Sequence, residues 1–299
     1  MKSVSVIIPT YKNRGGLTKS VDSVLSQSYE GIKEVIIVDD NNPDDTFRKS
    51  TEKLMSLYLS NPRVVYIKHE VNKNGAAARN TGIMASSGDY VAFLDDDDIF
   101  LPGKIEAQVE YLNTHNEHDL VYCLAKGNRY GASQRIIEGN GARDILMLNS
   151  NFYTPSLMFR RQALLDLNGF DESFIRHQDY ELLLRYFAKG GTIGCVAKQM
   201  IEIGVNQGEN EPKGERLEKL KSYFFSKFNS YIEEENKTIP GFKNKVLAKH
   251  YGSVFLSHIK NGYLKMALGT FVHYFFKSPL TFFGVVFNSL CVHIKAKIQ

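Results

Sequence analysis

The sequence predicts an α/β protein built on a mostly parallel sheet flanked by helices. Through the first hundred residues, short apolar runs alternate with amphipathic helical segments, and that alternation is typical of βαβ units. Polar residues follow three of the runs directly. In an open parallel sheet this is the edge where ligands bind.

Four strands are predicted in the first hundred residues. They are the apolar runs Val4–Ile8, Val35–Val38, Val64–Ile67 and Tyr90–Leu94. Three helices connect them: one with apolar residues at Leu17, Val21, Val24 and Leu25, one over about 45–59 with Leu54 and Leu57 facing inward, and a small-residue helix over 76–86. Together these elements form three consecutive βαβ units.

The pattern is less regular after Pro102. It predicts a helix over 104–113, strands over 120–124 and 155–159, a helix from Arg161, a helix over 179–188, and loop with weak strand over 125–150. The polar stretch 206–214 is typical of a boundary loop, and 215–299 is helical in pattern and rich in Phe, Tyr and Lys. We therefore expect a domain over 1–205 and a helical region over 206–299.

Composition bears on the binding partners and the cellular compartment of the protein. A formal net charge of +4, without a dense basic cluster, gives no support to nucleic-acid binding. Cys123, Cys195 and Cys291 are far apart and odd in number, which fits buried thiols in a reducing compartment. With no signal-peptide pattern and no apolar run of spanning length, the sequence predicts a cytoplasmic protein that could contact a membrane peripherally.

Polar residues cluster at three predicted strand ends. The first strand ends in Pro9-Thr10-Tyr11, the second in Asp39-Asp40, and the fourth in the run Asp95–Asp98. Capping of the helices and turns that follow is the alternative role for such aspartates. Three such ends on one edge nevertheless predict a binding site there.

The run of four aspartates favours a divalent cation. Consecutive carboxylates repel one another unless a positive charge lies nearby, and a magnesium site typically joins one or two carboxylates to phosphate oxygens. A solvated acidic turn is the alternative. A calcium loop of the EF-hand type is excluded because Phe100 stands where that loop requires glycine.

No glycine-rich nucleotide motif occurs in the chain. Neither G-x-G-x-x-G after the first strand nor G-x-x-x-x-G-K-[ST] is present. A bound diphosphate would then depend on a metal, helped by Arg79 from the helix over 76–86. The alternative for Arg79 is an exposed helical arginine.

Four segments in this order resemble the inverting, family-two glycosyltransferases with a GT-A fold, of the bacterial surface-polysaccharide type. They are VSVIIPTYKNR, EVIIVDDNNPDDT, NGAAARNTGIMASSGDYVAFLDDDDIFLPGKI and GFDESFIRHQDYELLLR. The resemblance covers residues 1 to about 205. It implies a catalytic domain with a nucleotide-binding half, 1–98, and an acceptor half, 99–205.

The resemblance also implies roles for individual residues. Asp95 and Asp97 match the Asp-x-Asp motif, the first near the donor ribose and the second on a Mn or Mg ion, with Asp96 and Asp98 as alternates. Asp179 matches the catalytic base, and Gln178 stands where relatives often have Glu. Further donor-binding positions follow the first two strands or lie on the third helix: Pro9, Thr10, Tyr11, Arg14, Asp39, Asp40 and Arg79.

Two motifs of relatives are missing. Where they often carry a histidine after the last strand of the catalytic domain, this chain has Asn206 and Gln207, so the resemblance supplies no third protein ligand for the metal. The Gln-x-x-Arg-Trp motif of processive synthases is absent. Transfer of a single sugar is therefore expected. From the helical pattern alone, Asp179 stands one residue before a helix, so helix capping is its alternative role.

The expected function is transfer of one sugar, with inversion, from a nucleotide-diphosphate donor (UDP by default) to a glycan or lipid-linked acceptor in cell-surface polysaccharide synthesis. The alternatives are a non-catalytic nucleotide-sugar-binding protein of the same fold and a sugar-phosphate nucleotidyltransferase. For residues 215–299 two hypotheses stay open. One is contact with an acidic membrane surface; the other is a helical bundle packed on the catalytic domain or on a second subunit.

Overall fold

The computed structural model describes residues 1–13, 15–126, 135–150, 152–204 and 212–298, with side chains described as far as residue 289. The chain divides into two compact units. Unit 1 comprises Met1–Ala142 and Asn151–Gln207, and unit 2 comprises Arg143–Ser150 and Gly208–Gln299.

Unit 1 is built on a mixed, mostly parallel sheet. In the described residues the strands are β1 (Val4–Thr10), β2 (Ile32–Asp39), β3 (Val64–Lys68), β4 (Tyr90–Phe93), β5 (Ile99–Phe100), β6 (Leu120–Lys126), β7 (Leu157–Arg160) and β8 (Ile193–Glu202). Their order across the sheet is β3-β2-β1-β4-β7-β6-β8-β5. Strands β1 to β4 are parallel to their neighbours within this group, whereas β7 is antiparallel to both β4 and β6.

The helices, in chain order, are α1 (Leu17–Leu25), α2 (Thr46–Met55), α3 (Gly75–Ala85), α4 (Lys104–Thr114), α5 (Ala142–Leu146), α6 (Arg161–Asp166), α7 (Gln178–Ala188), α8 (Gly214–Thr238), α9 (Phe242–Lys260), α10 (Leu264–Tyr274) and α11 (Pro279–Ile298). The predicted mixture of sheet and helices is confirmed. So are the six strands and the helical C-terminal region that the sequence pattern predicted.

The side chains of the central strands alternate between two layers. Val35 and Ile37 of β2 pack in a core with residues of α1, α2 and α4, whereas Ile36 and Val38 pack with Ala78 of α3. Helix α3 lies unusually close to β1, since a side-chain carbon at Gly82 would collide with Ile7. Burial on both faces explains why β1 and β2 are continuous apolar runs.

One detail of the predicted elements is wrong. Leu57 does not face inward but is strongly exposed, whereas Leu54 is partly buried and packs against the core as predicted. The α-helix ends at Met55 and continues as a 3₁₀ turn, so Met55 and Tyr58, three residues apart, face the core instead.

The pattern also missed β5 and β8. Strand β8 is the longest of the described strands, but its pairing with β6 shifts register between Cys123 and Ala125. Residues 196–199 of β8, where the shift begins, are partly buried or exposed. An irregularity of this kind breaks the period of two on which strand prediction depends.

Unit 2 is helical and has its own interior. Helix α9 contacts α8, α10 and α11, and the buried aromatic side chains include Phe224, Phe228, Tyr251 and Phe282. In this interior, His250 Nε2 lies 2.9 Å from the carbonyl oxygen of Leu146. Among the described residues, no helix combines the length and apolar character needed to cross a membrane.

Candidate active site

Three predicted strand ends meet at one edge of the sheet because β2, β1 and β4 are neighbours. Thr10, at the end of β1, is buried, and its hydroxyl donates to Asp96 Oδ2 over 2.6 Å. The amide of Asn13 donates to the Asp96 carbonyl over 3.1 Å. The structure thus brings the first strand end and the acidic run together, as the sequence analysis expected.

The acidic run forms a tight turn. The Asp98 N–H donates to the Asp95 carbonyl (3.1 Å), and Asp98 Oδ1 accepts from the Gly204 N–H (2.7 Å). Asp98 is buried, whereas Asp95, Asp96 and Asp97 are partly exposed. Asp96 accepts from Thr10 and Asp95 accepts from Arg79.

Burial and mutual repulsion raise the pKa values in this turn. Desolvation, with smaller contributions from Asp97 and Asp95, raises the pKa of Asp96 to about 6 despite the Thr10 hydrogen bond. Desolvation and the charge of Asp95 also raise the pKa values of Asp97 and Asp98. A cation beside the cluster would offset the repulsion and favour the ionised carboxylates.

Asp39, at the end of β2, lies inside the protein rather than on the open edge. It is fully buried; Oδ1 accepts from the backbone and side-chain N–H groups of Asn41, and Oδ2 accepts from Tyr66 OH (2.5 Å). Arg48 Nε lies 3.1 Å from Oδ2. These partners already occupy both oxygens, and the role of Asp39 in donor binding stays a prediction.

Arg48 is a buried cation that the sequence analysis missed. Besides Asp39, its guanidinium donates to the carbonyl oxygens of Asn41 and His69.

Replacing Arg48 with Met should lower the free energy of unfolding by about 3–5 kcal/mol, because it leaves a buried carboxylate without its counter-charge. Urea denaturation measures this change. The matched control is Lys49→Met, on an exposed neighbour, which should change it by less than about 0.5 kcal/mol.

Asp40 fastens the connection between β3 and α3. Its carboxylate accepts from the backbone N–H groups of Lys73 (2.8 Å) and Asn74 (2.9 Å), and from the side chain of Asn72 (2.7 Å). His69 Nδ1 lies 2.7 Å from the same carboxylate. Asp40 is thus placed to hold the start of α3, and its role as a donor contact stays a prediction.

Arg79 joins the acidic run to the helix that carries Asp179. Its Nη2 donates to Asp95 Oδ1 over 2.6 Å, and its Nη1 donates to Gln178 Oε1 over 2.8 Å. The side chain is largely buried, so the alternative of an exposed helical arginine is wrong. Gln178 also donates to the Phe174 carbonyl (2.8 Å), which fixes its amide orientation.

Asp179 belongs to the first turn of α7. The helix begins at Gln178, and His177, the residue before it, has a left-handed φ of 60° and no side-chain capping hydrogen bond. The expectation that Asp179 stands before the helix is therefore wrong, although Oδ1 does accept the Tyr180 N–H. Desolvation, opposed by that N–H and by Arg79, raises the pKa of Asp179 to about 6.

Helix α3 holds the segment that leads into α7. Asn80 donates to the Phe170 carbonyl and to Glu172 Oε1, both over 2.9 Å, and Asn74 donates to the Glu172 carbonyl over 2.9 Å. The sequence pattern indicated no role for these two asparagines. Asn80 stands within a predicted helix recognised only by its small residues, and Asn74 precedes that helix as its N-cap.

Of the remaining predicted site residues, Pro9 and Tyr11 lie in the part of the chain that the structure describes. Pro9 lies within β1, and Tyr11 is exposed beside Lys12, whose Nζ is 5.1 Å from the ring centroid. Arg14, Asn206 and Gln207 lie outside the described residues.

The residues at this edge fit a divalent cation. Among the described residues there is no group of three or more His, Cys, Asp or Glu side chains that could hold a metal by themselves. A magnesium-type site does not require one, because one or two carboxylates and phosphate oxygens are sufficient. Asp97 and Asp95 would supply the oxygen ligands. Desolvation and, to a lesser extent, the charge of Asp95 raise the pKa of Asp97, and a cation would offset that repulsion.

A family comparison identifies the chain. The model described as glycosyl transferase family 2 matches residues 5–184, which include every described residue of the site except Gly204. The chain belongs to glycosyl transferase family 2. Several relatives agree with this family: the chain is 28% identical to a glycosyltransferase of Rickettsia prowazekii of uncharacterized activity, over 88% of this chain and 81% of the relative.

Two further comparisons bear on this family-2 glycosyltransferase. It is 29% identical to the amylovoran biosynthesis glycosyltransferase AmsB of Erwinia amylovora, over 72% of this chain and 74% of AmsB. The crystal structure of S. aureus TarS 1–349 in complex with UDP-GlcNAc superposes with a TM-score of 0.58 at 18% identity, covering 84% of this chain and 81% of that one. The GT-A fold expected from the sequence is confirmed.

Proposed function

We propose that this family-2 glycosyltransferase moves one sugar from a UDP-sugar to a glycan or lipid-linked acceptor, with inversion, in the synthesis of a cell-surface polysaccharide. The observation that carries the proposal is the Arg79 bridge between Asp95 and Gln178. It holds the acidic turn and the Asp179 helix side by side, as transfer between a donor and an acceptor requires. The UDP-GlcNAc bound by TarS and the amylovoran role of AmsB support the choice of donor and pathway class.

On the donor side, the proposal gives Asp95 and Asp97 the task of holding a Mn or Mg ion. Asp96 and Asp98, the alternates in this run, are engaged by Thr10 and Gly204, which supports Asp97 as the main ligand. Asp95 accepts from Arg79 through Oδ1 and would contribute its other carboxylate oxygen. When bound, such a cation neutralises the charge that develops on the departing diphosphate.

On the acceptor side, Asp179 is proposed as the general base. The acceptor hydroxyl attacks the anomeric carbon, the bond from that carbon to the diphosphate oxygen breaks, and the hydroxyl proton passes to Asp179. A carboxylate of ordinary pKa is a weak base at neutral pH. The raised pKa of Asp179, about 6, brings it closer to the value at which a base works best.

A donor screen with product analysis tests the proposal. The full chain is incubated with UDP-sugars, with Mn²⁺ or with a chelator, and a candidate acceptor lipid or glycan. We expect stabilisation against thermal unfolding by one UDP-sugar only with the metal, and a product whose anomeric configuration, read by NMR, is opposite to that of the donor. Binding without turnover on any acceptor tested would favour the non-catalytic alternative. Incorporation of a nucleoside triphosphate into a sugar phosphate would favour the nucleotidyltransferase alternative.

The pH dependence of turnover tests the base. Below pH 6 the Asp179 carboxyl is protonated and cannot accept a proton, so kcat should fall about tenfold per pH unit there. The free energy of unfolding should change in the opposite direction. Because the pKa of Asp179 is raised in the folded state, protonation of this group stabilises the fold. That contribution is fully present below about pH 4 and is lost as the pH rises through 6.

Asp96 also has a pKa of about 6, so a control is needed. Asp96→Asn, measured at saturating donor, should keep the acid limb of the kcat profile because Asp179 is unchanged. A profile that is flat between pH 5 and 7 in the unmodified enzyme would contradict the base assignment.

A further inference from the structure

Unit 2 exposes an unusual concentration of large hydrophobic side chains. Nine of the seventeen that are exposed among the described residues lie between 259 and 287. We name six of them the apolar stripe: Leu264, Leu268, Val272, Phe276, Leu280 and Phe283. A soluble surface rarely carries so many together unless something covers them.

The stripe follows from helix geometry. Leu264, Leu268 and Val272 recur every four residues along α10 and therefore share one face, while Ala267 and Thr270 on the other side are buried. Phe276 lies at the corner that follows, and Leu280 and Phe283 lie on α11, where the neighbouring Phe282 is buried. Each helix thus buries one face within unit 2 and leaves its other, apolar face exposed.

The charge of the segment that carries the stripe has a single sign. Between residues 236 and 299 the sequence has no Asp or Glu, and it has nine lysines: Lys237, Lys243, Lys245, Lys249, Lys260, Lys265, Lys277, Lys295 and Lys297. Lys237 and Lys243 pair with Glu234 and Glu233 of α8, so the lysines that matter here are those next to the stripe. Lys260 and Lys265 are exposed beside the start of the stripe. Lys277 extends over the Tyr274 ring (Nζ to centroid 5.9 Å).

We infer that the apolar stripe and its lysines form a docking surface for an anionic lipid bilayer. Apolar side chains on the outer face can enter the headgroup boundary while the lysines beside them meet acidic headgroups. A second copy of this chain would bring the same positive charge against itself, which argues against a dimer through this face. The inference does not depend on the transfer reaction and goes beyond it.

Flotation of the full chain with vesicles tests the inference. We expect binding to phosphatidylcholine vesicles that contain phosphatidylglycerol, and at least tenfold less binding to phosphatidylcholine alone. Raising the salt from about 0.1 M to about 1 M should release the protein, because the Debye length shortens from about 10 Å to about 3 Å.

Two pairs of variants separate the apolar and the charged contributions. Phe276→Ser with Leu280→Ser should lower the bound fraction at least tenfold, whereas Leu57→Ser with Leu59→Ser, equally exposed in unit 1, should leave it unchanged. Lys265→Gln with Lys277→Gln should weaken binding to anionic vesicles, whereas Lys49→Gln with Lys53→Gln should not. All of these side chains except Lys277, which is partly buried, are exposed, and unchanged thermal unfolding confirms that the variants fold.

Three outcomes would overturn the inference. The first is full-length protein that does not float with anionic vesicles. The second is equal loss of binding in both members of a variant pair. The third is a concentration-dependent dimer in analytical ultracentrifugation that Phe276→Ser with Leu280→Ser abolishes, without any vesicle binding, because the stripe would then be a subunit contact.

Discussion

Asp179→Asn is expected to lower kcat by about 10²–10⁴-fold, the range that a positioned general base contributes. The substitution keeps the shape of the side chain and an oxygen that accepts the Tyr180 N–H, so the fold and the start of α7 should survive. It removes the only property that the proposal uses, which is the ability to take the acceptor proton. The affinity for UDP should change by less than about twofold, because Asp179 is not proposed to contact the donor.

The measurement is steady-state transfer to the true acceptor, combined with calorimetric titration of UDP. Glu172→Gln is the matched control: it makes the same change of charge in the same segment and keeps an oxygen for Asn80. We expect near-normal kcat for it. If Asp179→Asn retains more than about a tenth of the turnover, the group acts only on the helix end.

Asp97→Asn is expected to remove the metal-dependent part of donor binding. Outer-shell partners of a metal typically contribute 10–100-fold to its affinity, so loss of a direct carboxylate ligand should weaken UDP binding in Mn²⁺ by about 100-fold or more. In the presence of a chelator, the variant and the unmodified protein should bind UDP equally weakly. Titration of UDP in the two conditions gives both numbers.

Asp96→Asn is the control that shows which aspartates of the run bind the ion. Its side chain can still accept from Thr10, and it is not proposed to bind the ion, so metal-dependent binding should persist. Equal UDP affinity of the unmodified protein in Mn²⁺ and in chelator would contradict the metal role of the run. Loss of binding in Asp96→Asn with retention in Asp97→Asn would shift the ligand pair by one residue.

Much of the donor edge was predictable because it depends on a strong pattern. Apolar runs that end in Thr10, Asp39 and Asp95 had to bring these strand ends to one edge once the strands were parallel neighbours, although the Asp39 side chain itself is buried. The sequence did not predict how the edge is organised inside the protein. Arg48 stands in the polar segment TFRKSTEKLM, where nothing distinguishes a buried arginine from the exposed lysine beside it.

Other features could not be predicted because they depend on contacts between distant segments. The hydrogen bonds from Asn74 and Asn80 to residues 170–172 join positions about ninety residues apart, and no local periodicity encodes them. Strand β8 escaped prediction for the opposite reason: its local pattern is broken by the register shift against β6. Hydrogen bonds between distant polar groups and irregular pairing of strands both arise only when the chain has folded.

The hydrogen bonds of Asp40 have a consequence for engineering of this enzyme. The turn from β3 to α3 is held by a carboxylate that belongs to neither element, and α3 in turn presents Arg79 to Asp95 and Gln178. Residues 69–80 can therefore be exchanged between homologous scaffolds only as a cassette together with the aspartate at position 40. A chimera that carries the segment without an aspartate at position 40 would lose the hydrogen bonds that fix the start of α3. Arg79 would then be displaced from Asp95 and Gln178, even if every residue near the substrate were retained.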